Sequence, residues 1–260
     1  MKKIALALVV CLVVGIMAGC TSGFMSEIEM LNVTQNPEVS ITLSYTDAES
    51  VEKSFTMVFE LHYDKAPITV TNFVNLVQEG FYDNTIIHTC NVSKVSTSDI
   101  YYIAGGKYEL DSEADQTSSK KSLIASTKDY HIKGEFESNG WTENDLKHLV
   151  GALVMDRDSG VNGFDSANTG YYICMNDYNK RDGNYAVFGT LKSMSGKIGD
   201  REIPSQDSLI STFRDDMMGM SNTSTATDAD GNSVKIPNLT IVVTMTVNTF
   251  GVTYPTAKHV

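Results

Sequence analysis

The stretch DKAPITVTNFVNLVQEGFYDNTIIH, residues 64–88, decides the fold of this chain. Within it, apolar side chains recur over 70–77 at the i, i+3, i+4, i+7 spacing, Pro67 stands near the start, and Gly80 follows the end. That spacing, bounded by a proline and a glycine, predicts an amphipathic helix over 69–78. A helix with one apolar face must bury that face, so we expect it to pack on a sheet.

Alternating apolar and polar residues on both sides of this helix predict the sheet. The alternation is clearest in three segments, at 39–46, 54–62 and 239–249, and it is typical of half-buried strands. A second helix is expected at 205–218. Shorter apolar segments predict further strands at 84–90, 100–104, 149–155, 170–175 and 186–191. Many strands with two helices favour one closed β-barrel capped by helices over two separate domains.

Two polar segments interrupt this pattern. Residues 111–128 are polar and are interpreted as a surface insertion. Residues 222–232 are rich in Thr, Ser, Asp and Gly, and 228–232 are similar to part of a calcium loop. The acidic residue that would complete such a loop is missing, because 235–237 read Lys-Ile-Pro. We therefore expect a hairpin turn there and no metal site.

Composition and charge narrow the possible functions. The chain has 260 residues, with 20 Lys and Arg against 32 Asp and Glu, and a net charge of -12. Binding a phosphate backbone needs clustered basic residues, so no nucleic-acid partner is expected. Four cysteines are too few for a scaffold held together by disulfides. Cys90 and Cys174 are either two buried thiols or one disulfide pair.

The N-terminal segment predicts a secretory signal. Lys2 and Lys3 precede an apolar run at 4–14, and small residues follow up to Gly19. The alternative is a short N-terminal anchor helix, although the run is shorter than the roughly 20 apolar residues of a membrane span.

Residues 17–20, Met-Ala-Gly-Cys, resemble a bacterial lipobox, where a signal peptidase cuts and a lipid is attached to the cysteine. The resemblance implies that 1–19 is a lipoprotein signal peptide and that Cys20 is lipidated. It implies an extracytoplasmic protein anchored to the bacterial membrane through that lipid. Loss of the two signal lysines leaves 18 basic against 32 acidic residues, a charge of -14. Residues 20–37 are polar and are interpreted as a tether.

The stretch at 64–88 resembles cyclophilins, which share its order of an Ala-Pro step, an Asn-Phe helix, a Gly-Phe-Tyr turn and a strand histidine, here His88. The resemblance implies a mainly β fold: a closed eight-stranded antiparallel cyclophilin-like barrel at 38–250, capped by two helices, with 251–260 as a C-terminal tail. Further pieces match in the family's order over about residues 39–249; they are Gly105-Gly106, 130–136, Lys147-His148, Gly151, Leu153, Met155, 171–173, Asp182-Gly183 and Val187-Phe188-Gly189.

The resemblance also implies peptidyl-prolyl cis-trans isomerase activity, without a cofactor, on a proline-containing peptide or an unfolded secreted protein. Rotation about a peptide bond faces a barrier of about 18–20 kcal/mol from lost amide resonance. Uncatalysed exchange at X-Pro bonds therefore takes roughly tens to hundreds of seconds. In cyclophilins a groove arginine donates to the prolyl nitrogen as its lone pair localises, which stabilises charge that develops only in the transition state.

The residues that the resemblance aligns with this groove differ from the family's. Thr89 stands where the arginine is expected, and Ala104 stands where a glutamine is expected. Arg157 and Arg181 are candidate replacement cations, and tyrosine rings can stack on proline. The other groove candidates are Gly170, where the family has a glutamine, Tyr172, where it has a phenylalanine, and Tyr185, where it has a histidine, together with Tyr101 and Tyr102.

Two functional hypotheses follow, and both stay open at this point. The first is a membrane-anchored prolyl isomerase that assists the folding of secreted proteins, with weak or lost activity. The second is a non-catalytic pseudo-isomerase that binds proline-containing peptides or an envelope partner through the same groove. His88 is interpreted as a structural histidine, and Trp141 as a packing residue.

Overall fold

The computed structural model describes residues 30–47, 49–92, 100–111, 120–203, 212, 213, 215, 216, 224–228 and 230–260. The predicted signal peptide at 1–19 and Cys20 lie outside these residues, as does the tether up to residue 29. Most of the second helix predicted at 205–218 also lies outside them. Among the described residues, no helix is both long enough and apolar enough to span a membrane.

The described residues form one complete α-helix and thirteen strands, and four described residues inside the predicted second helix, Thr212, Phe213, Asp215 and Asp216, are also helical. The helix α1 is Pro67–Gln78. The strands are β1 Glu38–Thr46, β2 Glu52–Leu61, β3 Thr89–Val92, β4 Ile100–Gly105, β5 Tyr108–Leu110, β6 Lys120–Ala125, β7 Ala152–Met155, β8 Tyr171–Cys174, β9 Val187–Ile198, β10 Arg201–Glu202, β11 Ser224–Thr227, β12 Ser233–Ile236 and β13 Val242–Asn248. Short 3-10 turns lie at Glu137–Asn139, Val161–Gly163 and Asn179–Arg181.

Eight strands form a curled antiparallel sheet in the order β13-β1-β2-β9-β7-β8-β4-β3. The predicted eight-stranded cyclophilin-like barrel is confirmed, and the expected strand at 84–90 is regular only from Thr89. The preceding residues join the two ends of the sheet through three backbone hydrogen bonds. These run from Asn84 N to Val243 O (3.0 Å), from Val243 N to Thr85 O (2.8 Å) and from Ile87 N to Ile241 O (3.0 Å). Closure therefore depends on a short bridge and not on a full strand ladder.

Helix α1 lies against the sheet and is more deeply buried than an amphipathic surface helix. Only Asn75 and Gln78 among its residues are not buried. Its first turn is capped by the fully buried Glu135, whose carboxylate accepts the backbone N–H groups of Ile68 and Thr69, both at 2.8 Å. Burial raises the pKa of Glu135 to about 7, and the two N–H bonds partly offset that rise.

A second sheet of four strands, in the order β12-β11-β6-β5, was not predicted. Part of it comes from 111–128, which was expected to be a polar surface insertion. Strand β6 forms there because Leu123 is buried against Ile86, Ala226 and Ile236. The predicted hairpin turn at 228–232 is confirmed and joins β11 to β12.

Three smaller expectations are settled by side-chain contacts. Cys90 and Cys174 are buried thiols that do not form a disulfide, and burial raises the pKa of Cys90 to about 11 and that of Cys174 to about 12. Trp141 is buried and donates from Nε1 to the carbonyl oxygen of Lys65 at 2.8 Å, as expected of a packing residue. The C-terminal segment 251–260 is fastened to the barrel by Asn75, whose Nδ2 donates to the carbonyl oxygen of Pro255 at 2.7 Å.

Candidate functional site

Five adjacent strands place one side chain each in a row across the sheet. The backbone register pairs Thr89 with Ala104, Ala104 with Tyr172, Tyr172 with Val154, and Val154 with Val187. Residues directly opposite each other in antiparallel strands share a face, and we call this row the groove face. The next residues along the same strands point to the other side and fill the barrel core.

Four tyrosines surround the guanidinium of Arg181 above the groove face, and we call them the tyrosine cluster. The Arg181 Cζ atom lies 4.6 Å from the ring centroid of Tyr185, 4.8 Å from Tyr102, 5.0 Å from Tyr172 and 5.2 Å from Tyr178. Its Nη2 donates to the Tyr102 hydroxyl at 3.4 Å. Cation–π contacts of this kind contribute from about 0.5 to about 2 kcal/mol each as the cation is desolvated. Arg181 is half-buried, whereas four of the five groove-face residues, all but Thr89, are buried.

A buried hydrogen-bonded chain holds the floor of the tyrosine cluster. His148 Nδ1 lies 2.9 Å from Asp182 Oδ1, and His148 Nε2 lies 3.0 Å from the Tyr172 hydroxyl. Burial lowers the pKa of His148, and Asp182 partly offsets that effect. In the neutral imidazole, Nδ1–H donates to the carboxylate, which leaves Nε2 to accept the Tyr172 O–H. The chain fixes the Tyr172 ring beneath Arg181.

Arg157, the other predicted replacement cation, has a different role. Its Nε and Nη2 donate to the carbonyl oxygen of Asn184 at 3.0 and 2.8 Å. Its Nη1 donates to the carbonyl oxygens of Asp158 and Gly160 at 2.6 and 3.1 Å. The Cζ atom lies 4.3 Å from the Tyr185 ring centroid. These bonds occupy most of the guanidinium donors and tie two loops together.

The structure leaves the family's arginine position without a cation. Thr89 is half-buried, and its Oγ1 lies 3.0 Å from Nδ1 of His88. Two strand spacings, roughly 10 Å, separate Thr89 from Tyr172 along the groove face. Arg181 therefore lies on the same face as the gap at Thr89 but over a different strand.

Two predicted groove residues lie at the margin of this arrangement. Tyr101 stacks on Tyr178, with ring centroids 4.8 Å apart and an interplanar angle of 18°. A side chain at Gly170, where the family has a glutamine, would require Lys107 to move, since a Cβ there would lie 2.5 Å from Cε of Lys107. Lys107 is held by an ion pair with Asp156, with a distance of 2.7 Å from Nζ to Oδ2.

Buried His88 has the environment of a structural residue. Burial, and to a smaller extent the charge of Lys107, lowers its pKa to about 4. Within the described part of the chain, no group of three His, Cys, Asp or Glu side chains lies close enough together to hold a metal ion.

Sequence reasoning missed three residues of the site: Tyr178, His148 and Asp182. His148 and Asp182 were matched to the family only as markers of the fold. Tyr178 matched nothing in the family, and the one signal for it was a tyrosine three residues before Arg181.

Comparisons with known proteins agree with the fold. A family model described as cyclophilin type peptidyl-prolyl cis-trans isomerase matches residues 49–198. The chain is 30% identical over 132 residues to peptidyl-prolyl cis-trans isomerase A of Dickeya dadantii, which covers 49% of this chain and 55% of that protein. It is 33% identical over 137 residues to a peptidyl-prolyl cis-trans isomerase of Acinetobacter baylyi, which covers 51% of this chain and 58% of that protein.

The chain thus spans little more than half the length of these two relatives. Among solved structures, it is similar to a cyclophilin-type peptidyl-prolyl cis-trans isomerase of Cryptosporidium parvum, determined in the presence of the dipeptide Ala-Pro. The match has a TM-score of 0.43 and 18% identity, and it covers 80% of this chain and 98% of that one.

Proposed function

The chain belongs to the cyclophilin-type peptidyl-prolyl cis-trans isomerase family, and from this premise we propose that its groove face binds proline-containing peptides and isomerises them weakly. One observation carries the proposal: a half-buried guanidinium, that of Arg181, lies over the groove face among tyrosine rings. The family's chemistry needs a donor for the prolyl nitrogen and an apolar wall for the ring. Arg181 and the tyrosine cluster supply both types of group.

The proposed mechanism stabilises the twisted amide without forming a covalent bond. As the X-Pro bond rotates, resonance is lost and the nitrogen lone pair becomes an acceptor. A guanidinium N–H directed at that nitrogen would interact more strongly with the twisted amide than with the planar one, which is the condition for catalysis. The tyrosine rings would hold the pyrrolidine ring by apolar contact.

The expected activity is weak because two of the groove's polar positions are lost. Thr89 offers no cation and Ala104 offers no amide. Loss of one positioned donor to a transition state costs a factor of about 10² to 10³ in rate. Arg181 reaches the groove face over another strand, so it would restore only part of that stabilisation.

We place this activity outside the cytoplasm, on a protein anchored through lipid on Cys20. The support is the lipobox-like sequence at 17–20 and the basic, apolar and small-residue order before it. An acidic protein gains no attraction from an anionic membrane surface, so the proposed attachment is the covalent lipid. The expected clients are unfolded secreted proteins in which an X-Pro bond limits folding.

A second candidate function is a binding module without catalysis. The occupied donors of Arg157 favour it, because that guanidinium is committed to the backbone carbonyls of Asn184, Asp158 and Gly160. The groove would then recognise proline-containing segments of a client or an envelope partner and release them unchanged.

Exchange spectroscopy by NMR on an Ala-Pro peptide tests the proposal directly. Wild-type protein should accelerate cis-trans exchange, and Arg181→Ala should remove the acceleration while the protein remains folded. If the peptide shifts resonances of the tyrosine cluster without faster exchange, the binding module is correct. If the peptide neither binds nor exchanges faster, both functions fail.

A further inference from the structure

We propose that Arg181 is a carboxylate-binding subsite, so that the groove selects proline peptides carrying a carboxylate beside the proline. The carboxylate is an Asp or Glu side chain next to the proline, or the free C-terminus of a peptide ending in proline. The inference rests on the proposed function, because it concerns the same groove and names the class of peptide bound there.

The hydrogen-bonding capacity of Arg181 is largely unused. A guanidinium carries five N–H donors, and within the described residues those of Arg181 reach only two hydroxyls, that of Tyr102 at 3.4 Å and that of Tyr172. Arg157 makes four hydrogen bonds, all to backbone carbonyls. Arg157 is therefore a structural cation, whereas most N–H donors of Arg181 are left to bind a ligand.

Arg181 also has no carboxylate at ion-pair distance among the residues that the structure describes. The nearest in sequence, Asp182, is taken by His148. The chain pairs many of its other cations with acids; the lysines in ion pairs are Lys53, Lys65, Lys107, Lys128, Lys192 and Lys197. Arg157 is also half-buried without an acid, but its donors go to backbone carbonyls, so Arg181 is a half-buried cation with neither an acid nor a carbonyl partner within the described residues.

The shape of this cation selects the ligand. A planar guanidinium binds a carboxylate with two parallel N–H···O bonds, which is the strongest geometry available to it. The rings around it displace water and weaken screening of the charge. The hydroxyls of Tyr178 and Tyr185 make no hydrogen bond within the described residues, so they are further donors for carboxylate oxygens.

The same cluster accommodates the proline that carries the carboxylate. Tyr185 and Tyr178 present their rings within about 5 Å of the Arg181 Cζ atom. Tyr185 also lies against Arg157, and Tyr178 is also stacked on Tyr101. A peptide whose carboxylate binds Arg181 would therefore place its pyrrolidine against the edges of these rings and not on a free face. Tyr172 cannot move away, because His148 and Asp182 fix its hydroxyl.

Four peptides test the inference by NMR titration of the full chain. Acetyl-Ala-Glu-Pro-Ala-amide is compared with its Gln analogue, and acetyl-Ala-Ala-Pro with a free carboxylate is compared with its amide. We expect at least one carboxylate peptide to bind about tenfold more tightly than its neutral match, as a charged hydrogen-bonded pair allows. The pair that shows the preference identifies the source of the carboxylate.

Variants assign the preference to Arg181. Arg181→Gln should reduce the ratio of the affinities for acidic and neutral peptides to about one. Arg181→Lys should retain part of the preference, since lysine keeps the charge but cannot donate two parallel hydrogen bonds. Arg201→Gln is the matched control, because Arg201 is an exposed cation on β10, and it should leave the ratio unchanged. Raising NaCl from about 0.05 M to about 0.5 M should weaken the preference.

The outcomes separate the inference from the function beneath it. If the neutral peptides bind as tightly as the acidic ones, or if Arg181→Gln keeps the preference, the carboxylate subsite is wrong and peptide binding stands. If none of the four peptides binds, the proposed function fails, and the subsite fails with it.

Discussion

Tyr172 differs by one hydroxyl from the phenylalanine that the family resemblance expects, and that oxygen changes what lies beneath it. The hydroxyl is bonded to His148, which in turn is bonded to Asp182. A buried imidazole with both nitrogens satisfied is stable, whereas one with a vacant acceptor costs free energy. The substitution and the histidine must therefore be considered as one unit.

Tyr172→Phe is predicted to lower the free energy of unfolding by about 1–3 kcal/mol, because it leaves His148 Nε2 buried without a donor. Urea unfolding at neutral pH measures the change. Tyr178→Phe is the matched control, since its hydroxyl makes no hydrogen bond within the described residues, and it should change stability by less than about 0.5 kcal/mol. Equal effects of the two substitutions would contradict the hydrogen-bonded chain.

At the level of elements, the turn after β4 depends on a glycine for two separate reasons. Gly106 has a φ of 82°, and a Cβ there would lie 2.4 Å from the carbonyl oxygen of Thr169. Gly140, which ends the 3-10 turn at Glu137–Asn139, has the same φ but nothing within 4 Å of its ideal Cβ. The pair separates backbone conformation from steric contact.

Gly140→Ala should cost about 1–2 kcal/mol in unfolding free energy, the typical cost of a left-handed alanine. Gly106→Ala should cost that amount and about 1–3 kcal/mol more from the contact with Thr169. Thermal and urea unfolding of both variants check this difference. A Gly106→Ala variant that is no less stable than Gly140→Ala would show that the backbone segments at Gly106 and Thr169 can move apart without cost.

The cap of helix α1 predicts a pH dependence of stability. The pKa of Glu135 is raised in the fold from 4.5 to about 7. The folded state therefore holds a proton that the unfolded state releases in this range, so this contribution is full below about 4.5 and is lost as pH rises through about 7. Its size is on the order of 3 kcal/mol.

His88 acts in the opposite direction, because its lowered pKa favours the folded state as pH rises from about 4 to 6.5. The informative quantity is therefore the difference in unfolding free energy between wild type and Glu135→Gln, measured from pH 4.5 to 8. Wild type should lose stability relative to the variant as pH rises. A difference that does not change with pH would show that Glu135 is not the group that binds this proton in the folded state.

At the scale of the whole molecule, the attachment to the membrane is a prediction from residues that the structure does not describe. Cys20→Ser should move the protein from the membrane fraction to the soluble extracytoplasmic fraction and abolish labelling by a fatty-acid analogue. Cys11→Ser, within the predicted signal, should leave both unchanged. Continued labelling of Cys20→Ser would exclude Cys20 as the lipid site.

Most of the barrel could be predicted from the sequence, because its strands either alternate apolar with polar residues or contain the family's motifs in the family's order. β1, β2 and helix α1 begin within two residues of their predicted starts. Their apolar residues recur at the period of the buried face, which makes these elements recognisable in the sequence. β6 and β11 could not be predicted, because their sequences are short and polar and their partners are distant in the chain. Pairing between such segments leaves no periodic signal.

The site was predictable as a set of candidates but not as an arrangement. Arg181 was a candidate because two arginines lay near groove positions, and sequence could not rank it above Arg157. The ranking comes from contacts: carbonyls occupy Arg157, while tyrosines from three segments meet at Arg181. Likewise, the close contact at Gly170 comes from the side chain of Lys107, which is more than sixty residues away in sequence.

Tyr185 lies within 5 Å of both guanidiniums, and Arg157 also binds the carbonyl of the preceding residue, Asn184. The ring that faces Arg181 is therefore already held in place from behind. The Tyr185 side chain therefore has little rotational freedom to lose when a ligand binds Arg181, so the entropic penalty of ordering it is avoided. Arg157, which is too occupied to contact a peptide well, thereby preorganises the surface on which the peptide would rest.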